Sequence, residues 1–172
     1  MVATTLLTSL LIAKKSFSAL KILVLVALIP SYLALNLPAT TIDIDTTYNR
    51  VIISDKTSST TGQIFRVMGI NNENHSAMYL ASDDLVNEYT KYYHLAAHFN
   101  PNVHSALMLG GAGYSFPKEY LRVYPSSTID VVEIDPMMTE LARQYFRLTD
   151  NPRLNIIHED GRVYLNETTK KY

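Results

Sequence analysis

Residues 107–120 read LMLGGAGYSFPKEY, and the fold turns on how that stretch is understood. An apolar run meets three glycines and an alanine, and a helix-compatible segment follows. A dinucleotide fingerprint, G-x-G-x-x-G, would make this a pyrophosphate turn. Counted from Gly111, Phe116 stands where the third glycine belongs; counted from Gly110, Ala112 stands at the second. The fingerprint fails. A glycine-rich turn between strand and helix still lets the backbone approach a ligand closely and presents helix N-terminal amides. A nucleoside carrying an amino-acid tail suits such a turn better than a dinucleotide.

Downstream, element types alternate. HSALMLG (104–110) reads as an apolar strand buried on both faces, PKEYLRVY as a helix and TIDVVEID (128–135) as a strand. PMMTELARQYF then reads as a helix with proline in its first turn, and RLNIIHED (153–160) as a third strand. Strand, helix, strand, helix, strand implies a parallel sheet with ligand at the carboxyl ends of its strands. Upstream, NRVIISD (49–55) and QIFRVMG (63–69) flank the polar turn KTSSTTG, and AMYL (77–80) follows INNENHS. Residues 42–80 therefore read as a small antiparallel sheet. A helix capped by Asp83 or Asp84 is expected through LVNEYTKYYHLAAHF and ends at Asn100-Pro101.

The N-terminal region differs in kind. No residue from Ile22 to Ile42 is charged, and ILVLVALIPSYLAL approaches the roughly 20 residues that span a bilayer. A membrane segment is the expectation, with a cleaved signal peptide and a buried core helix as alternatives. NLPATTID follows as a linker. Lys14, Lys15 and Lys21 precede the apolar segment and Asp43 and Asp45 follow it, which by the positive-inside rule places the following domain outside the cytoplasm. The division expected is 1–41 membrane segment and linker, 42–82 small β-domain, and 83–172 partial nucleoside-binding domain.

Composition narrows the classes. The 172 residues are 47% hydrophobic and 18% charged, with a formal net charge of -1. No basic stripe with interleaved aromatics appears, so nucleic acid is not an expected partner. The absence of cysteine excludes disulfides and thiol nucleophiles. His94 and His98 lie four apart, but HLAAH lacks the glutamate of H-E-x-x-H, and no metal is expected.

Two acids stand at the ends of the later strands. Glu133 in VVEIDP sits where nucleotide-binding α/β folds place a carboxylate that accepts from ribose hydroxyls. Asp160 in HEDGR is placed to accept from an adenine amine, with Gly161 easing the turn. Together with YYHLAAHF and TTYNR, the glycine stretch, VVEIDP and HEDGR resemble the polyamine aminopropyltransferases, the spermidine synthase family, from about Thr46 to Leu165. The resemblance implies an α/β fold: a small antiparallel β-domain, then the first half of a Rossmann-like class I methyltransferase fold, here preceded by an N-terminal membrane helix. It implies a cofactor site at Asn49, Gly110, Gly111, Gly113, Glu133, Asp160 and Gly161, and a polyamine pocket at Tyr93 and His94. The implied cofactor is decarboxylated S-adenosylmethionine or S-adenosylmethionine, and the implied reaction is aminopropyl transfer to a small amine.

Three departures accompany it. Gly113 stands where the family's glycine loop, GGGDG, carries an aspartate that meets the cofactor's amino end; Asn49 replaces a glutamine, and Leu95 a glutamate. The aspartate that deprotonates the attacking amine follows a fourth strand in the family, beyond Tyr172, so no catalytic residue is assigned and the chain reads as part of a longer protein. An S-adenosylmethionine-dependent methyltransferase, or a non-catalytic nucleoside- or polyamine-binding module of a membrane protein, remain as alternatives. Membrane lipid is an expected partner, and the family's habit makes a homodimer another. The side of the membrane stays open, because the cofactor is cytosolic while the lysine flank points outward.

Overall fold

The computed structural model describes residues 41–71 and 73–172, together with Val26, Leu28 and Ile29. The expected membrane segment lies otherwise outside the described residues, and no helix among the described residues is long and apolar enough to cross a membrane. The described residues from Thr41 to Tyr172 belong to one compact unit.

That unit opens with a four-stranded antiparallel sheet in the order β1-β2-β3-β4: Ile42–Asp45, Arg50–Thr57, Ile64–Ile70 and Glu73–Tyr79. Alternation sets its faces. Val51 and Ile53 are buried opposite Ile44 and Ile42 on β1, while Arg50 Nη2 reaches Asp43 Oδ2 at 2.6 Å on the exposed side. Two details depart from the sequence reading. The end of the supposed linker NLPATTID begins strand β1, and the first three residues of AMYL are only the end of the longer β4, whose exposed start, Glu73-Asn74-His75, carries no apolar pattern.

The long helix capped by Asp83 or Asp84 is not formed. A short helix α1 (Glu88–Lys91) starts after Asn87, a 3-10 turn covers Tyr92–His94, and α2 runs Leu95–Phe99. Leu85 explains the late start: it bridges Met78 of β4 and is buried, which keeps that segment extended. Asp83 is also committed elsewhere, to Lys118 Nζ at 3.2 Å and Arg147 Nη2 at 2.9 Å. Burial raises the Asp83 carboxyl, but those two cations hold it below the usual carboxylate range.

The second sheet is parallel, in the order β5-β6-β7: Ser105–Leu109, Thr128–Val132 and Leu154–Ile157. Helices α3 (Ser115–Val123) and α4 (Pro136–Tyr145) connect these strands, and α5 (Gly161–Glu167) follows β7. Leu121, Met138, Leu141, Ala142 and Phe146 bury the apolar faces against Ile129 and Val131. The expectation that the first strand is buried on both faces is corrected: β5 lies at the sheet edge and is half-buried, with Leu109 49% exposed, whereas β6 is the covered central strand.

Three cations tie remote backbone segments together. Lys118 on α3 donates to Phe146 O (2.6 Å), and burial lowers its pKa while Asp83 opposes that shift. Arg147, in the left-handed region at φ 55°, donates to the carbonyls of Tyr79, Leu80 and Ser82. Arg153 donates to Leu121 O, Tyr124 O and Ser127 O, satisfying the carboxyl end of α3.

Candidate functional site at the strand ends

The turn after β5 is built by three left-handed residues. Gly110 has φ 85°, Ala112 φ 45° and Tyr114 φ 53°. Gly110 continues the ladder by donating to Val132 O (2.8 Å), and a Cβ added to it would enter open space, so a ligand can approach its backbone closely. Gly111 and Gly113 are glycine for an internal reason. A Cβ on Gly111 would lie 2.4 Å from the Tyr114 ring, and one on Gly113 would lie 2.7 Å from Ser76 Oγ and 2.8 Å from Phe146 Cδ1. Tyr114 is fully buried beneath the loop, with its hydroxyl 2.8 Å from Thr139 Oγ1, which in turn meets His158 Nε2 at 3.0 Å. Burial pushes the Tyr114 phenol up to about 12, against the bond to Thr139.

Glu133 locks this turn from the end of β6. Its Oε2 accepts from the amides of Gly111 (2.8 Å) and Ala112 (3.2 Å), and its Oε1 accepts from the Asp135 amide (3.0 Å). The carboxylate is 7% exposed. An ionised carboxylate has about four acceptor positions, so these bonds leave about one for a further donor. Two ribose hydroxyls therefore require one loop amide to let go. Asp135 caps α4 through Met137 N (3.1 Å) and receives a bond from Thr46 Oγ1 of the small sheet.

Asp160 stands at the end of β7 and is exposed. Its Oδ1 accepts from Arg162 N (2.7 Å) and Val163 N (3.3 Å), capping α5. Gly161 is the first residue of that helix, and a Cβ there would make only ordinary contact with Leu109, from 3.4 Å, so no backbone requirement explains the glycine. The turn, Glu133 and Asp160 thus share one edge of the parallel sheet. Asn49 lies apart, in the β1–β2 turn: its amide donates to Thr46 Oγ1 (2.9 Å) and its Oδ1 accepts from Asn71 Nδ2 (3.3 Å). Its link to the strand-end acids runs through Thr46 and Asp135.

Tyr93 and His94 both pack on the Phe116 ring but have different surroundings. Tyr93 packs edge-on at 5.0 Å and lines the cavity beside it, whereas His94 lies 5.4 Å from Phe116, with Nδ1 3.0 Å from the Tyr124 hydroxyl and Nε2 3.9 Å from Glu119 Oε1. A cavity of about 200 Å³ lies between β4, the turn before α1 and the glycine loop, lined among others by Ser76, Asn87, Thr90, Tyr93, Gly110 and Ser115. No Asp or Glu lines it. Sequence reasoning missed Ser76, Asn87 and Ser115, whose uncharged side chains carry no signal apart from the fold. It also missed Thr139, whose place one turn into α4 after EIDP was the available clue.

Known proteins share this fold. The spermine/spermidine synthase domain model matches residues 87–172, half of the chain. A polyamine aminopropyltransferase of Alkaliphilus metalliredigens is 32% identical over 83 residues, 46% of this chain and 29% of the relative. A probable spermidine synthase from Corynebacterium glutamicum superposes with a TM-score of 0.61 at 24% identity, covering 74% of this chain and 47% of that one. The spermidine synthase from Thermotoga maritima gives a TM-score of 0.58 at 21% identity, over 77% and 45% of the two chains. The match thus spans under a third of the curated relative and just under half of each solved structure. With half of its length matched by the family model and its two-sheet fold shared, the chain belongs to the spermine/spermidine synthase family.

Proposed function

We propose that the chain supplies the nucleoside-binding part of a polyamine aminopropyltransferase, taking decarboxylated S-adenosylmethionine at the ends of β5, β6 and β7. The observation that carries this reading is the glycine turn, open at Gly110 and tied to Glu133 at the adjoining strand end. Glu133 would accept from the ribose by exchanging a loop amide, Asp160 would use its remaining acceptor capacity on the adenine side, and Tyr93 would border the amine's approach. Bound there, a sulfonium cofactor supplies an electrophilic carbon next to sulfur. The chain's own contribution is orientation: paired amides, a fixed carboxylate and a cavity walled by Tyr93 and Phe116.

A second reading is favoured by one observation, the 200 Å³ cavity whose lining holds no carboxylate. Such a lining offers no countercharge to the amine of the decarboxylated cofactor and accommodates the amino-acid end of S-adenosylmethionine at lower electrostatic cost, which would make the chain part of a methyltransferase. Calorimetric titration with 5′-methylthioadenosine tests the nucleoside site, and comparison of the two sulfonium compounds chooses between the readings. No saturable heat with any of the three overturns both. Attachment to a membrane through the apolar segment from Ile22 to Leu35 belongs to the same proposal; release of the full chain from membranes by alkaline carbonate would remove it.

A further inference from the structure

Two polar side chains lie fully buried beneath the glycine turn, and the reading above gives them no part: Tyr114 and Thr139 are both 0% exposed. Tyr114 supports the turn. Its Cζ and hydroxyl oxygen stand 2.4 and 2.7 Å from the position a Gly111 Cβ would take, so the ring fills the space directly against the turn's backbone. The Tyr114 hydroxyl bonds Thr139 Oγ1 (2.8 Å), and Thr139 Oγ1 meets His158 Nε2 (3.0 Å). His158 is exposed and stands one residue past β7, where Glu133 N donates to Ile157 O (2.9 Å). The chain of three groups therefore runs from under the turn to the strand end that also carries Glu133.

Counting protons gives the chain a direction. Each hydroxyl has one proton to donate, and a neutral imidazole has one N–H and one lone pair. Among the described residues the Tyr114 hydroxyl bonds Thr139 alone, and a buried proton left undonated is costly, so Tyr114 donates to Thr139 Oγ1. Thr139 then donates its own proton to His158 Nε2. That nitrogen must carry the lone pair, which puts the ring proton on Nδ1, the tautomer that free histidine populates less. With the proton on Nε2 instead, Thr139 would accept from His158 and donate to Tyr114, and the Tyr114 proton would have no acceptor. The tautomer of an exposed ring and the support of the buried turn are thus one hydrogen-bonded unit.

We propose that His158 and Thr139 are positioning residues for the glycine turn: neutral His158, protonated at Nδ1, fixes the Thr139 hydroxyl, which holds Tyr114 as the support of Gly110, Gly111 and Ala112. Those three residues form one wall of the 200 Å³ cavity, so the chain sets the fit of whatever the nucleoside carries at its 5′ end. The role rests on the nucleoside-binding reading for its ligand, whereas the tautomer is readable without one.

Nitrogen NMR of the full chain, labelled at its five histidines and assigned with His158→Gln, tests the direction of the chain. In mildly alkaline buffer His158 should show a protonated Nδ1 and a bare Nε2. Thr139→Val, which keeps the shape and removes the hydroxyl, should move the signal toward the Nε2–H form of free histidine. A protonated Nε2 in the unaltered chain overturns the proposal. Calorimetric titration then reads the positioning role as the ratio of affinities for decarboxylated S-adenosylmethionine and adenosine, which share the nucleoside and differ at the 5′ end. Thr139→Val should lower that ratio about 2–10-fold, the worth of roughly one hydrogen bond, and Thr139→Ser, which keeps the hydroxyl, should restore it. Should Thr139→Val fail to fold, His158→Phe at the exposed end of the chain should lower the same ratio. An unchanged ratio overturns the positioning role and leaves nucleoside binding standing, whereas no binding of either compound by the unaltered chain overturns both.

Discussion

Replacing Glu133 by Gln isolates the bond between the second strand and the glycine turn. The shapes are alike, but one carboxylate oxygen becomes an NH2 group. Placed at the Oε2 position, that NH2 would face two donors, Gly111 N and Ala112 N; placed at Oε1 it would face one, Asp135 N. The side chain will choose the second, losing one bond and leaving one buried donor unmatched. Such a loss costs about 1–3 kcal/mol. For a chain of this size that lowers Tm by about 2–12 °C, at roughly 2–4 °C per kcal/mol. Urea titration and thermal melts measure the loss, and hydrogen exchange at Gly111, Ala112 and Asp135 locates it. Faster exchange is expected at Asp135, with the two loop amides less affected. A Tm within 1 °C of the unaltered chain would refute the reasoning, because it would mean that the carboxylate does not hold the turn.

Three further outcomes follow from the geometry. Gly113→Ala places a methyl 2.7 Å from Ser76 Oγ and 2.8 Å from Phe146 Cδ1, and overpacking of that kind should cost about 1–3 kcal/mol in urea titration. Tyr114→Phe should destabilise the chain at pH 8 by losing the bond to Thr139. Because folding raises the Tyr114 phenol to about 12, its contribution is complete below the unfolded value of about 10 and is lost as pH rises toward 12. The stability gap between the unaltered chain and Tyr114→Phe should therefore narrow over that interval, and a constant gap would contradict the assigned burial. Asp83 has the opposite sign: its folded carboxyl lies below the ordinary value of about 3.9, so its contribution is present above that pH and disappears as pH falls through the folded value. The advantage of the unaltered chain over Asp83→Asn should shrink in acid melts from about pH 4 downward.

Much of this molecule was legible in its sequence because local patterns carried it. The failed dinucleotide fingerprint, the strand-helix alternation after residue 104 and the acids at 133 and 160 located one sheet edge with a glycine turn, and the structure brings those residues to that edge. Proline at the start of α4 marks a helix start through a backbone constraint, which is a local effect.

Tertiary structure decided what depends on partners distant in the chain. Leu85 stays extended because it meets Met78, so the helix expected from Asp83 begins only at Glu88. Gly113 is glycine because Ser76 and Phe146 occupy the space beside it, and Glu133 serves first to hold the loop, since amides 21 and 22 residues away point at it. The different surroundings of Tyr93, at a cavity, and His94, at Tyr124 and Glu119, follow from packing between a 3-10 turn and α3, which adjacency in sequence conceals. Asp130 reads as an ordinary strand acid until Lys170 and Tyr172, 40 and 42 residues later, close on it. Periodicity and capping act within a turn or two of the chain and are written there; charge pairing, close packing and edge position arise only when remote segments meet.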